Sequence, residues 1–282
     1  MTDSKPVYSR SISKVRSAHI NIISPKHQNS FILENGQFEE NDPFLFLAED
    51  WFERGSFDVH PHRGIETVTY VMEGKLEHYD NTSSEKDELL AGDAQWMTAG
   101  RGVIHKEDPA DGERVHSLQL WVNLPSKDKM TVPRYQNLRS ANMPIRTEKG
   151  AVIRVFSGSS GDVHSPTKNY VPVTMVELTL EPGAAVKQDL PGSYNGFLYV
   201  LEGEGLFGSE NTKGAKRQVL HLSRSENYEA SEVAITAVTG LRVLLYAGEP
   251  LREPIAAYGP FVMNTEEQIR EAFHDYQNGK FA

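Results

Sequence analysis

Short apolar segments, separated by Gly, Pro, Asn or Asp, run along most of this 282-residue chain. They are rich in β-branched and aromatic residues, which predicts strands. Turn signals such as Glu73-Gly74 and Glu202-Gly203 end several of them. Strands at this spacing predict an all-β sandwich or barrel. The segments behind this prediction are residues 44–47, 66–72, 117–122, 173–180, 197–201, 234–238 and 242–246.

The chain divides into two halves at a polar segment. Residues 126–150 are polar and contain prolines, a composition typical of a connector. A strand and its turn also occur twice, as Thr-Tyr-Val-Met-Glu-Gly at 69–74 and as Leu-Tyr-Val-Leu-Glu-Gly at 198–203. We therefore predict an N-terminal domain of residues 1–135 and a C-terminal domain of residues 136–282.

The last part of the chain carries one segment of helical periodicity. Thr265 and Gln268 have the spacing of a capping box, and Gly279 is suited to end the helix. An apolar stripe at helical spacing predicts that the helix covers a barrel surface. The stripe consists of Ile269, Ala272, Phe273 and Tyr276.

Composition and charge exclude several classes of function. The formal net charge of −10 argues against a general binder of the nucleic-acid backbone, which needs clustered Lys and Arg. No apolar run is long enough for membrane insertion, and the start of the chain lacks the apolar run of a secretory signal. The absence of cysteine excludes disulfides and thiolate metal sites, and it fits a cytoplasmic location.

Two histidine-containing pairs indicate a metal site. His60 and His62 alternate in one segment, and His105 and Glu107 alternate in another. In a strand, residues i and i+2 point to the same face, so each pair presents two donor groups side by side. Three imidazoles and one carboxylate suit a divalent transition metal such as Fe, Mn, Ni, Cu or Zn.

The spacing leaves one ligand open. Glu66 has the same strand parity as His60 and His62, so parity alone does not choose between Glu66 and Glu107 as the carboxylate. His78 follows a turn, and we expect it to be exposed. In the second copy of the repeat, His60 aligns with Asp189 and His62 with Pro191, so we expect no metal in the C-terminal half.

These residues also carry a family resemblance. Gly55, His60-x-His62, Glu66 and Gly74 resemble the first motif of the cupin superfamily, although the spacing departs slightly. The second cupin motif is longer here before His105 and lacks its proline. The runs HPHRGIETVTYVMEG, GDAQWMTAGRGVIHKE and YGPFVMNTEEQIREAFHDYQNGKF resemble the pirin family over nearly the full length.

The resemblance implies a bicupin, with two β-barrel or jelly-roll domains, a C-terminal α-helix, and one metal in the N-terminal domain. Carried over by position, the pirin ligands fall on His60, His62, His105 and Glu107. Glu66 is then a supporting residue, turned away by a bulge near Gly64. The metal that the resemblance favours is Fe(II), with Mn, Ni, Cu or Zn as alternatives.

Pirin-family members are associated with quercetin 2,3-dioxygenase activity, which opens a flavonol with release of carbon monoxide. The expected partners are therefore a small aromatic polyphenol and O2, and Glu107 serves as both ligand and catalytic base. The alternative is a non-enzymatic, iron-binding regulator whose partner is a transcription factor or a metabolic enzyme. Sugar isomerase or epimerase chemistry, which cupins also support, ranks last.

Overall fold

A computed structural model describes residues 6–80 and 87–281. The strands are β1 (Val7–Ser9), β2 (Ile12–Ser17), β3 (Ile20–Ser24), β4 (His27–Leu33), β5 (Phe44–Glu53), β6 (His60–His62), β7 (Ile65–Glu73), β8 (Lys75–Asp80), β9 (Asp87–Leu90), β10 (Ala94–Thr98), β11 (Val103–Pro109), β12 (Arg114–Asn123), β13 (Arg134–Leu138), β14 (Ile145–Glu148), β15 (Ala151–Ser157), β16 (Ser159–Ser160), β17 (Val163–His164), β18 (Val173–Leu180), β19 (Ala185–Pro191), β20 (Asn195–Glu202), β21 (Glu204–Phe207), β22 (Thr212–Ala215), β23 (Gln218–Leu222), β24 (Ala230–Ala237), β25 (Leu241–Gly248), β26 (Ala256–Tyr258) and β27 (Phe261–Met263). The helices are α1 (Phe38–Asn41) and α2 (Glu266–Gln277), and Ser126–Asp128 and Ser140–Asn142 form 3₁₀ turns.

The chain folds into two compact units, each made of two separate stretches. The histidine unit contains Ile20–Asn142 and the chain from Leu251 onwards. The apolar unit contains the chain up to His19 together with Met143–Pro250. Each unit therefore includes one end of the chain that is far in sequence from the rest of that unit.

This division differs at both chain ends from the predicted boundary between residues 135 and 136. The N-terminal strands β1 and β2 pair with β24 and β23, which places them in the apolar unit. The terminal helix α2 packs on β26 and β27 in the histidine unit. Both differences result from contacts between residues that are far apart in sequence. The polar segment that was used to place the boundary does not predict such contacts.

The histidine unit contains two sheets. A seven-stranded sheet has the order β13-β10-β7-β12-β5-β4-β3, and a four-stranded sheet has the order β6-β11-β8-β9. The short strand β6 is followed at once by β7, so the chain passes from one sheet to the other between His62 and Ile65.

The apolar unit repeats this strand order. Its seven-stranded sheet has the order β2-β23-β20-β25-β18-β15-β14, in which β20 takes the place that β7 holds in the histidine unit. Its second sheet has the order β1-β24-β21-β22, and β19 also pairs with β24. The predicted all-β architecture with a C-terminal helix is confirmed.

Cross-strand registers align the two units residue by residue. The turn glycines Gly74 and Gly203 anchor the alignment, since each follows the strand of the sequence repeat. Thr69 and Leu198 each lie five residues before that glycine, and their partners across the sheet correspond as well. The resulting pairs are Thr69 and Leu198, Gln119 and Leu245, His78 and Phe207, Glu107 and Ile235, His105 and Val233, Asp50 and Leu178, and His27 and Ala151.

Apolar side chains fill the interior of the apolar unit. Each of them is no more than 5% exposed, and they form one contiguous cluster. This is the close-packed interior expected of a structural domain. Its members are Ala151, Ile153, Val155, Val176, Leu178, Leu180, Val186, Leu190, Leu198, Val200, Phe207, Leu220, Leu222, Val233, Ile235, Ala237, Leu241, Val243, Leu245 and Ala247.

Helix α2 forms as its sequence predicts. The hydroxyl of Thr265 accepts a hydrogen bond from the backbone N–H of Gln268, and the Gln268 side chain completes the capping box. Gly279 follows the helix with a φ of 67°, a conformation that favours glycine. Ile269 and Ala272 are buried against Phe261 and its neighbours. Neither described helix combines the length and the apolar character needed to cross a membrane.

Candidate metal centre

Strands β6 and β11 bring three histidines together. The two strands are antiparallel neighbours, and His105 lies directly opposite His60. The alternation of side chains along β6 puts His62 beside them. One ring nitrogen from each of the three histidines lies within 4.8 Å of the other two. The group is therefore a candidate site for a single metal ion.

Burial makes these imidazoles suitable ligands. His62 and His105 are 1% and 2% exposed. Burial, and to a smaller extent the neighbouring His60, lowers the pKa of His62 to about 3. Burial and the adjacent histidines also hold the pKa of His105 well below its ordinary value. Both rings are therefore neutral at neutral pH, the form in which imidazole binds a metal.

Ring nitrogens in the group are left available for a ligand. Nδ1 of His60 donates a hydrogen bond of 2.8 Å to the carbonyl oxygen of Asp58, so Nε2 is the nitrogen of that ring that remains to bind a ligand. Nε2 of His105 is buried and makes no hydrogen bond to the described part of the chain. A buried, unpartnered nitrogen is uncommon in a folded protein. The donor set therefore fits a divalent transition metal.

His78 supports His105, and its predicted exposure is wrong. The side chain is 2% exposed, and its Nε2 lies 3.1 Å from Nδ1 of His105. The turn at Gly74 brings β8 directly alongside β11, so that His78 lies opposite Glu107. A hydrogen bond to the second ring nitrogen fixes the tautomer and orientation of a ligating histidine. The sequence does carry a signal for this burial, because His78 has the same strand parity as the apolar residue Leu76.

Glu107 lines the same cavity as His60 and His62. It is 6% exposed, and its carboxylate accepts hydrogen bonds of 2.8 Å from the Thr69 hydroxyl and from the Gln119 amide. The compact imidazole group does not include its carboxylate oxygens. The role of Glu107 as a metal ligand thus stays a prediction. Sequence reasoning missed Thr69 and Gln119, which hold the carboxylate in place.

Glu66 is turned away from the histidines. Its carboxylate is fully buried and accepts a hydrogen bond of 2.6 Å from the Thr98 hydroxyl. Strand parity breaks at Gly64, which has a φ of 79° and where an added Cβ would lie 2.0 Å from the Val262 carbonyl oxygen. Glu66 therefore lies in the seven-stranded sheet, whereas His60 and His62 lie in the four-stranded sheet. Its side chain is on the face opposite to Thr69.

The C-terminal segment holds the backbone next to His62. The Arg63 guanidinium donates to the Arg101 carbonyl oxygen at 2.6 Å and to the Asp275 carboxylate at 3.0 Å. It also lies 4.5 Å from the centre of the Phe281 ring. Arg63 is 3% exposed, so these contacts are shielded from solvent. Helix α2 therefore helps to fix the position of the second histidine.

An aromatic cavity of about 430 Å³ opens onto the histidines. The Trp121 ring lies 5.1 Å from the His62 ring and 5.4 Å from the Phe46 ring, measured between centroids. Cavities of this size and apolar character hold flat small molecules. The lining residues are His27, Asn29, Phe31, Phe46, Ala48, Asp50, Phe52, Ser56, Phe57, Asp58, His60, His62, Thr69, Leu76, Glu107, Ser117, Gln119, Trp121 and Pro260.

Sequence reasoning also missed a second polar pair in the cavity wall. Nε2 of His27 lies 2.7 Å from a carboxylate oxygen of Asp50, and each residue is 8% exposed. Burial raises the pKa of Asp50, and the hydrogen bond with His27 opposes this shift. The pair joins β4 to β5, so only the cross-strand register brings these residues together.

Two β-barrels of matching strand order, one of them with a group of three histidines of which two are buried, define a two-domain protein of the cupin superfamily. Residues 14–122 match the family described as Pirin, and residues 175–282 match the Pirin C-terminal cupin domain. A pirin-like protein from Solanum lycopersicum is 41% identical over 86% of this chain and 83% of its own. The chain belongs to the pirin family.

Solved structures agree with this assignment. GK1651 from Geobacillus kaustophilus is 61% identical, with a TM-score of 0.86 over 88% of this chain and 100% of its own. A quercetin 2,3-dioxygenase from Acinetobacter baumannii is 30% identical, with a TM-score of 0.86 over 97% of this chain and 99% of its own. The predicted bicupin fold and the family resemblance are thus confirmed.

Proposed function

We propose that this chain is a metal-dependent dioxygenase that cleaves a flavonol or a similar polyphenol in the manner of quercetin 2,3-dioxygenase. The observation that carries the proposal is the Glu107 carboxylate, held by Thr69 and Gln119 in an aromatic cavity beside a group of three imidazoles. The similarity to a protein described as a quercetin 2,3-dioxygenase supports the choice of substrate class.

The protein's own residues bind the substrate and take up a proton. Phe46 and Trp121 contact the flat rings and exclude water from the histidine end of the cavity. Glu107 accepts the proton of the flavonol hydroxyl, because a carboxylate within reach of the bound substrate can act as a general base. Thr69 and Gln119 keep that carboxylate in one orientation.

The metal in this proposal is Fe(II), held by His60, His62 and His105 with Glu107 as the fourth ligand. The bound ion supplies the Lewis-acid and redox chemistry that a reaction with O2 requires. The same donor set accepts Mn, Ni, Cu or Zn, so elemental analysis of the isolated protein decides the identity of the ion.

The test is turnover of quercetin by protein loaded with Fe(II). We expect oxygen uptake to match the bleaching of the flavonol absorbance, with carbon monoxide released. Glu107→Gln should lower the rate at least about 100-fold, the usual contribution of a general base. A protein that leaves quercetin unchanged would overturn the proposal.

Glu66→Gln is the matched control, because Glu66 is a second buried glutamate that lies outside the cavity. It should retain the rate and the bound metal of the wild type. Should Glu66→Gln lose the metal while Glu107→Gln keeps both metal and rate, the assigned carboxylate is the wrong one.

A further inference from the structure

The fold itself does not require the His27–Asp50 pair in the cavity wall. Burial of two ionisable groups is costly even when they are hydrogen-bonded to each other. The corresponding positions in the apolar unit are Ala151 and Leu178, and both belong to its apolar core. Since the same strand order folds without the pair, a contribution to ligand binding is the better explanation.

The pair lies further along the sheet than the Gln119 amide that binds Glu107. Asp50 is opposite Ser117 on β12, two residues before Gln119, whose amide binds Glu107. His27 is on the next strand, β4, beyond Asp50. Strand geometry puts the Cα atoms of Asp50 and His27 roughly 8 and 16 Å from the Cα atom of Gln119, so the hydrogen bond between the two side chains lies at an intermediate distance. A molecule of two or three linked or fused rings spans this distance.

The walls around the pair are aromatic. The His27 ring lies 4.8 Å from the Phe57 ring and 6.2 Å from the Phe52 ring, both edge to face. Nε2 of His27 and one oxygen of Asp50 bind each other, so Nδ1 and the second carboxylate oxygen are the atoms that remain to bind a ligand. The cavity therefore has one polar group at the pair and another at Glu107, with aromatic rings in its wall.

We propose that the His27–Asp50 pair binds a phenolic hydroxyl at the end of the substrate that is remote from Glu107. The inference rests on the proposed function for the class of substrate, and it defines that class more closely. The preferred polyphenol carries a hydroxyl on its outlying ring, which hydrogen-bonds to the pair. A polyphenol without this hydroxyl leaves the buried pair unpartnered and binds less tightly.

The test compares two ligands that differ only at this ring. Quercetin has two hydroxyls on its pendant phenyl ring, and the comparison compound is the same flavonol with that ring unsubstituted. Dissociation constants are measured without oxygen, by quenching of tryptophan fluorescence. We expect the wild type to bind quercetin about tenfold more tightly, as expected for one hydrogen bond to a buried polar group.

Variants of the pair should remove this preference. His27→Leu is expected to bring the ratio of the two dissociation constants close to one. Asp50→Asn preserves the shape of the side chain and should lower the ratio as well, so the test does not depend on one variant folding. The inference fails if the wild type does not distinguish the compounds, if neither variant changes the ratio, or if neither compound binds.

His116→Leu is the matched control. His116 lies 2.8 Å from the Glu49 carboxylate and its ring stacks on Trp51, but His116 is not among the cavity-lining residues. The substitution removes the same kind of histidine–carboxylate pair at a place outside the cavity. The ratio of the two dissociation constants should therefore stay at the wild-type value.

Turnover of quercetin by the wild type is measured in parallel. Oxygen consumption without any preference for the outlying hydroxyl refutes this inference and leaves the dioxygenase proposal standing. If the wild type prefers quercetin and His27→Leu does not, but no turnover is observed, this inference stands and the dioxygenase proposal is refuted.

Discussion

The histidine unit and the apolar unit have the same strand order but opposite interiors. Where the first has His105, Glu107 and His78, the second has Val233, Ile235 and Phe207 at the corresponding positions. The backbone therefore does not determine the chemistry, because one set of ladders supports either a polar cavity or a packed core. The polar interior gives up apolar packing at these positions, as functional sites commonly do.

The largest effect is expected from placing a cavity residue in the packed core. Leu178→Asp gives the apolar unit the residue that Asp50 provides in the histidine unit, but without a histidine partner. A lone buried carboxylate should destabilise the protein by about 4 kcal/mol. Urea unfolding measures the loss. Val152→Asp on the exposed face of β15 is the control, and an equal loss there would contradict the comparison.

The reverse exchange removes the candidate metal ligand. His105→Val, which introduces the residue type found at Val233, should weaken metal binding more than about 100-fold, beyond the usual effect of losing a residue that only supports a ligand. Calorimetric titration with the metal measures the change. His116→Val should bind the metal like the wild type. Unchanged affinity in His105→Val would exclude the three-histidine site.

A smaller effect is expected from the residue behind the ligand. His78→Phe, which introduces the residue type found at Phe207, keeps the ring packing but removes the hydrogen bond to Nδ1 of His105. Metal affinity should fall about 10–100-fold, as is usual for such supporting contacts. His78→Gln retains a hydrogen-bonding group at this position and should restore part of the affinity. Equal affinities for both variants would show that the hydrogen bond has no orienting role.

The smallest effect concerns helix α2 of the histidine unit, which has no counterpart among the described residues of the apolar unit. Hydrogen bonds from Lys280 and Arg63 lower the pKa of Asp275 in the folded protein. The stabilisation is therefore present above the unfolded-state pKa of about 3.9 and is lost as the pH falls through the folded-state value.

Asp275→Asn should consequently lower the melting temperature by about 2–4 °C at pH 7. The difference from the wild type should shrink below about pH 4, where the carboxylate becomes protonated. Calorimetry at both pH values checks this, with the exposed Asp162→Asn as the control. A difference that is the same at every pH would rule out a charge effect.

Much of the fold could be predicted from local pattern alone. The strand segments, the capping box of Thr265 and the alternation of His60 and His62 depend on neighbours within four residues, and the structure has each of them. The orientation of Glu66 could not be predicted from strand parity. The break in parity at Gly64 depends on the Val262 carbonyl oxygen, which comes from the far end of the chain.

The rest depends on registers between strands. His78 contacts His105 only because β8 pairs with β11, and no spacing in the sequence gives that register. The repeat alignment also slips in β19, where Asp189 and Pro191 are exposed. The counterpart of His60 is Gln188, which lies opposite Val233 as His60 lies opposite His105. The connection from β19 to β20 differs in length from the one after β6, so an ungapped alignment fails there.

The hydrogen bond between Arg63 and Asp275 has a consequence for biosynthesis. The two residues are 212 positions apart, so the ribosome releases the support for His62 long after His62 itself. At about 5–20 residues per second this delay is about 10 s or more. During that interval the nascent histidine unit lacks the helix that anchors it, and a chain that stalls before Asp275 never gains this anchor.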